Sequence, residues 1–129
     1  MNTEQIALAE VEKRLHQRGF TTTRTGRNGD IDARKGPKLG RLEVKGLALP
    51  NAVWLTKQQV NAVHAVVIYV VQSADVWVLS PAQAHFLLDK YQRDFISRHG
   101  RPPAQPGFNW SELVSFLKPT GWGPLDILL

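Results

Sequence analysis

The amino-acid sequence predicts an α/β fold: a three-layer sandwich in which a central mixed five-stranded sheet is flanked by helices. Three observations lead there. Apolar residues recur at helical spacing in the first eighteen residues and again after two Ser/Thr-led caps. Between these stretches lie short segments that alternate apolar and charged, or run apolar throughout, as strands do. The two kinds of segment are interleaved in the order helix, three strands, helix, two strands, helix, which is the signature of a sheet covered by helices.

The first helix is expected from about Thr3 to Arg18, with Ile6, Leu8, Val11 and Leu15 on one face and Gly19 as its stop. Phe20 to Arg24 is Thr-rich and reads as a strand, and Thr25 to Gly29 as a turn. In Asp30-Ile31-Asp32-Ala33-Arg34 the charges fall on even positions, and in Arg41-Leu42-Glu43-Val44-Lys45 on odd ones. Strict alternation describes a strand with one buried face. The six residues between, Lys35 to Gly40, have turn chemistry, so an antiparallel hairpin from Gly29 to Gly46 is expected, with Asp30, Asp32, Glu43 and Lys45 on one face. Thr56 with Gln59 forms a capping box that opens a second helix. Ala65 to Val71 is continuously apolar and reads as a buried strand; Val76 to Leu79 follows as another. Ser80-Pro81-Ala82-Gln83 starts a helix carrying Phe86, Leu87 and Leu88 to about Tyr91 or beyond. After a Pro-rich loop (100–107), Asn109 with Glu112 caps a short helix to Lys118, and an apolar tail ends at Leu129.

The 129 residues amount to a single domain, with a core over about 3–90 and a C-terminal loop, helix and tail over 91–129. The absence of cysteine excludes disulfides and thiolate zinc sites. The N-terminus lacks the basic start and apolar run of a signal peptide, and the longest apolar stretch is far short of the ~20 residues that span a bilayer. The expectation is a soluble, cytoplasmic chain with no membrane partner. The net charge is +5, and ten of the sixteen basic residues lie between Lys13 and Lys45 beside three acids, Asp30, Asp32 and Glu43. A positive field of this kind suits a polyphosphate partner, as it suits a merely solvated surface.

The hairpin carries the chemistry. Hydrolysing a phosphodiester calls for neutralising developing charge and deprotonating water, and a divalent cation does both. Mg2+ takes hard oxygen ligands and keeps several waters, so two carboxylates suffice: Asp32 or Asp30 with Glu43, and the backbone carbonyl of Val44 as a third donor. Lys45 projects from the same strand face as Glu43 and is suited to hold the attacking water or to stabilise charge at phosphorus. The competing reading is structural: cross-strand ion pairs worth ~0.2–1 kcal/mol each. Arg24 and Arg27, just before the hairpin, are candidate phosphate contacts. The four histidines lack metal-ligand spacing, and the four tryptophans read as core or loop anchors.

The segment Gly29-Asp30-Ile31-Asp32 followed by Leu42-Glu43-Val44-Lys45-Gly46 resembles the PD-(D/E)XK nuclease superfamily, with its restriction-endonuclease-like fold. The leading helix ending in Gly19-Phe20, the strand after it, and the later Trp54-Leu55-Thr56-Lys57-Gln58-Gln59 and Val76-Trp77-Val78-Leu79-Ser80 resemble small Holliday-junction-resolvase-like members, over residues 1 to about 90. The resemblance implies a nuclease dependent on Mg2+ or Mn2+, with Glu43 as the second metal carboxylate, Lys45 as the catalytic lysine and Asp32 favoured over Asp30 as the first carboxylate. Where many members carry a first-helix glutamate, this chain has Leu8, with Glu4, Glu10 and Glu12 nearby; Gln58 or Gln59 is a further candidate near the site. Three readings stand together: a DNA endonuclease gripping the backbone through residues 13–45, a catalytically inactive nucleic-acid-binding module on the same fold, and an interaction subunit of a larger complex. The apolar tail, which equally suits packing on the core, motivates the last and would also serve a homodimer.

Overall fold

In the computed structural model, residues 2–26 and 30–129 are described. Helix α1 (Thr3–Gln17) is capped by Asn2, whose side chain accepts the Gln5 amide at 2.8 Å. It turns Ala7, Leu8, Val11 and Leu15 inward and gives way to Gly19 at a φ of 86°. Strands β1 (Thr21–Arg24), β2 (Ile31–Lys35) and β3 (Lys38–Leu47) follow as an antiparallel meander. The β2–β3 turn is tighter than the six residues expected: Lys35 pairs with Lys38, leaving only Gly36 and Pro37 between. Gly36 has a φ of 60°. Of the two turns that match hairpin twist, type I′ needs positive φ at both central residues, which proline forbids; type II′ needs it only at the first, where glycine stands.

The chain continues through β4 (Val53–Trp54), α2 (Lys57–Asn61), β5 (Ala65–Val70), β6 (Asp75–Leu79) and α3 (Pro81–His99). It ends with β7 (Gly107–Phe108), α4 (Trp110–Phe116) and α5 (Leu125–Leu128). The main sheet has the order β1-β2-β3-β5-β6; β3 and β5 run parallel and every other pair is antiparallel, so the sheet is mixed, as expected. β5 is buried along its whole length, as a strand with a helical layer on each side must be. Capping boxes are present at Thr56/Gln59 and Ser80/Gln83.

Alternation along the strands sorts side chains into two cores. Ile31, Ala33, Leu42, Val44, Val67 and Val78 pack with α1 and with Leu125 of α5. On the opposite face, Val66, Ile68, Val70, Trp77 and Leu79 pack with Val60 of α2, Leu87 of α3 and Leu113 of α4. Helices therefore cover both faces of a five-stranded sheet, consistent with a three-layer sandwich. At Gly46 a Cβ would lie 2.7 Å from the Thr3 carbonyl oxygen, so the missing side chain lets α1 cross β3 closely on the first face.

α3 runs past Tyr91 to His99, within the expected bounds, because nothing breaks it before Gly100, which caps it at a φ of 71°. Two features differ from the sequence expectation. The core is not confined to residues 3–90: Phe108, Leu113 and Leu125 are all at most 1% exposed. The indole of Trp77 donates to the Leu117 carbonyl at 2.9 Å and meets Trp110 edge-on at 4.9 Å, while the Thr120 and Gly121 amides donate to the Val76 carbonyl, covering the edge of β6. The two-residue pair β4–β7 and the one-turn helix α5 are too short to carry a periodic signal. Among the described residues no helix is long and apolar enough to cross a membrane.

Candidate active site

Pairing of Ile31 with Leu42 and Asp32 with Arg41 sets the two faces of the β2–β3 ribbon. Ile31, Ala33, Leu42 and Val44 face α1. Asp32, Arg41, Glu43 and Lys45 face the other way, as the alternation predicts. Asp30 sits one residue before β2, where the regular ladder has ended. Its amide donates to the Leu42 carbonyl at 2.7 Å, and its carboxylate Oδ2 accepts the Val44 amide at 2.8 Å. A side chain thus takes the place of a backbone acceptor at the end of the strand, and that bond fixes where the carboxylate stands. The Val44 side chain is buried; what it offers here is its peptide group, whose carbonyl lies on the same strand edge as its N–H.

Glu43 is the one buried charged residue among those described, at 4% exposure. Lys45 Nζ lies 3.5 Å from Glu43 Oε1. Burial holds the Glu43 carboxyl above its ordinary range; the neighbouring charge of Asp30 pushes it the same way, and Lys45 pulls only partly against them. Asp30, Glu43 and Lys45 therefore form one cluster in which two carboxylates share a single cation. Such a site has an unmet need for positive charge.

Asp32, favoured as first carboxylate on sequence, is engaged elsewhere: its Oδ1 lies 3.5 Å from Arg41 Nε. The cause is register. A six-residue loop closing between Arg34 and Arg41 would have set Asp32 across from Glu43. The two-residue turn slides the strands by two positions, which keeps every side chain on its face but brings Asp30 to Glu43 instead. Asp32 is then a diagonal neighbour, at a spacing of roughly 7–8 Å.

The other expected residues are dispersed. Arg24 lies on the α1 side of the sheet, where Glu12 Oε1 accepts from its Nε at 3.1 Å and its terminal nitrogen at 2.6 Å; the structure does not bring it to the carboxylates. Arg27 and Gly29 lie outside the described residues. Leu8 belongs to the α1 core, and Glu12 is occupied by Arg24. Gln59 serves as the partner in the α2 capping box. His16 bonds Thr22, His85 bonds Asn61, and His64 Nδ1 accepts the Arg41 amide. Among the described residues no group of three or more His, Asp or Glu is placed to hold a metal ion, so any cation here would rely on two carboxylates, backbone and water. Arg41, to which sequence reasoning gave no role, stands two residues before Glu43 on the same face. No protein-family model matches the chain, and a comparison with curated proteins finds no match either.

Proposed function

We propose that this chain is a metal-dependent nuclease that hydrolyses phosphodiester bonds of nucleic acid, DNA in the first instance, from the face of the β2–β3 hairpin. The observation that carries the reading is the convergence of Asp30, Glu43 and Lys45 at the mouth of the hairpin, with Glu43 buried and short of compensating charge. The donor set fits Mg2+ or Mn2+: two hard carboxylates and, on the same strand edge, the Val44 carbonyl, an arrangement such ions accept while keeping water. A cation bound there supplies Lewis acidity and a more acidic water.

The protein's own residues do the remainder. Asp30 and Glu43 would hold the ion, and Asp30 is itself held by the Val44 amide. Lys45, beside Glu43, orients the attacking water and places a positive charge next to the phosphoryl oxygens as charge builds on them. The water oxygen bonds to phosphorus as the bond from phosphorus to one ester oxygen breaks; the proton lost from the water goes to solvent, and the departing oxygen takes one from solvent. The hairpin motif and the mixed sheet support a restriction-endonuclease-like arrangement of the PD-(D/E)XK kind.

The test is cleavage of supercoiled plasmid, linear duplex, single-stranded DNA and structured RNA with Mg2+, with Mn2+ and with chelator, beside Lys45→Ala. Metal-dependent cutting is expected, with a rate loss of ~10²–10³-fold in the variant. Cutting at an undiminished rate in the variant would place the active site elsewhere. A folded wild-type protein that binds nucleic acid but cuts nothing would instead favour the catalytically silent binding module.

A further inference from the structure

Resting on the reading of this face as a phosphodiesterase site, the geometry points to Arg41 as a substrate-binding residue that holds the phosphate next to the scissile one. Arg41, Glu43 and Lys45 follow one another along the same face of β3, at two-residue steps of about 6.8 Å. The row therefore reads cation, carboxylate, cation, with the carboxylate pair in the middle. A nucleic-acid strand running along this face meets Lys45 and the carboxylates at one phosphate and Arg41 at its neighbour.

Two further observations support the assignment. The backbone of Arg41 is clamped on the β5 side: His64 Nδ1 accepts its amide at 3.0 Å, and the His64 amide donates to its carbonyl at 2.8 Å. The guanidinium thus projects from a rigid mount, as a positioning group requires. Its head is only loosely held. The closest approach to Asp32 is 3.5 Å, long beside the roughly 2.7–2.9 Å of a charge-assisted hydrogen bond, and the side chain is 42% exposed. An arginine tied up for stability alone would be expected to close on its carboxylate as Arg24 closes on Glu12, at 2.6 Å. Asp32 in this arrangement aims the guanidinium while leaving it free to exchange partners, and a phosphate offers the bidentate geometry that arginine prefers.

The test combines a binding and a cleavage readout. Binding of a short fluorescein-labelled DNA duplex is followed by anisotropy across a salt series, for the wild type, Arg41→Ala, Arg41→Lys and Arg24→Ala. Arg41→Ala is expected to weaken binding about five- to tenfold and to make the slope of log K against log salt shallower by ~0.9, the loss of one phosphate contact. Arg41→Lys is expected to keep the slope and recover part of the affinity, and Arg24→Ala, on the opposite face, to change neither. Should Arg41→Ala fail to fold, Arg41→Gln carries the same expectation. An unchanged slope in the folded variant, or an equal change in Arg24→Ala, overturns the proposal. On cleavage, Arg41→Ala is expected to lower kcat/KM on duplex DNA, chiefly through KM, and to lower hydrolysis of bis(p-nitrophenyl) phosphate, which has no neighbouring phosphate, far less. Equal losses on both substrates also overturn it. Lys45→Ala separates the two readings: full cleavage in that variant defeats the active-site assignment, whereas the salt slope reports on Arg41 whether or not the protein cuts. A wild type that neither binds nor cuts DNA defeats both.

Discussion

The two faces of the β2–β3 ribbon are made from the same ten or so residues and do opposite things. Toward α1, Ile31, Ala33, Leu42 and Val44 are at most 2% exposed and join a continuous apolar core. Toward the other side, Asp30, Asp32, Arg41, Glu43 and Lys45 leave a row of charge in which Glu43 is buried with less compensation than it needs. The first face holds the strands; the second is held by them and keeps a buried carboxylate at a cost in stability. A purely structural ion pair closes tightly, as exposed Arg24 does on half-buried Glu12 on the α1 side of β1. Buried, undercompensated Glu43 and the closely matched Arg24–Glu12 pair are the two ends of that contrast.

The sharpest way to break that comparison is to cut into each face in turn. Leu42→Ala removes a fully buried side chain under Glu43's own strand. It is expected to cost about 2–5 kcal/mol, seen as a fall in Tm of about 10 °C, with kcat per folded molecule little changed. A stable variant with lost activity would mean that the two faces are not separable.

Glu43→Gln should do the reverse: abolish metal-dependent activity while raising stability by up to about 1 kcal/mol in chelator, because it removes a buried charge opposed by Asp30. The pH dependence has a definite sign. With the folded-state carboxyl above its ordinary 4.5, the native protein binds this proton more readily than the unfolded chain. Its contribution to stability is fully present below about 4.5 and is lost as pH rises through the folded value. Thermal unfolding of the metal-free protein against pH should show that decline, and Glu43→Gln should flatten it. A decline of the same size in the variant would assign it to another group.

The smallest effect is expected at Arg24→Ala. The guanidinium of its ion pair with Glu12 is exposed and solvent-screened, so a loss of roughly 0.2–1 kcal/mol is anticipated, with cleavage and nucleic-acid binding unaltered. A large loss of binding there would move the nucleic-acid path to the α1 side of the sheet.

Much of this was legible in the amino-acid order because it rests on periodicity and local chemistry. The alternation in 30–34 and 41–45 determined which residues share a face, and the apolar run 65–71 determined a buried strand. Ser80-Pro81 and Thr56 with Gln59 determined where helices start, since caps depend on residues three apart. What the sequence could not reveal is which of two carboxylates on one face meets Glu43. Asp30 and Asp32 obey the same alternation, and a two-position slide of the hairpin exchanges them without moving any side chain to the wrong face. Only the assembled structure, through the Gly36-Pro37 turn and the Asp30–Val44 bond, decided for Asp30. The same holds for Arg24, which looks like its neighbours in a basic segment until the meander turns it toward α1. It holds too for the C-terminal residues, whose partners in the core lie forty positions upstream. Spacing along the chain specifies faces and caps; register and long-range burial arise only when distant segments compete for the same partners.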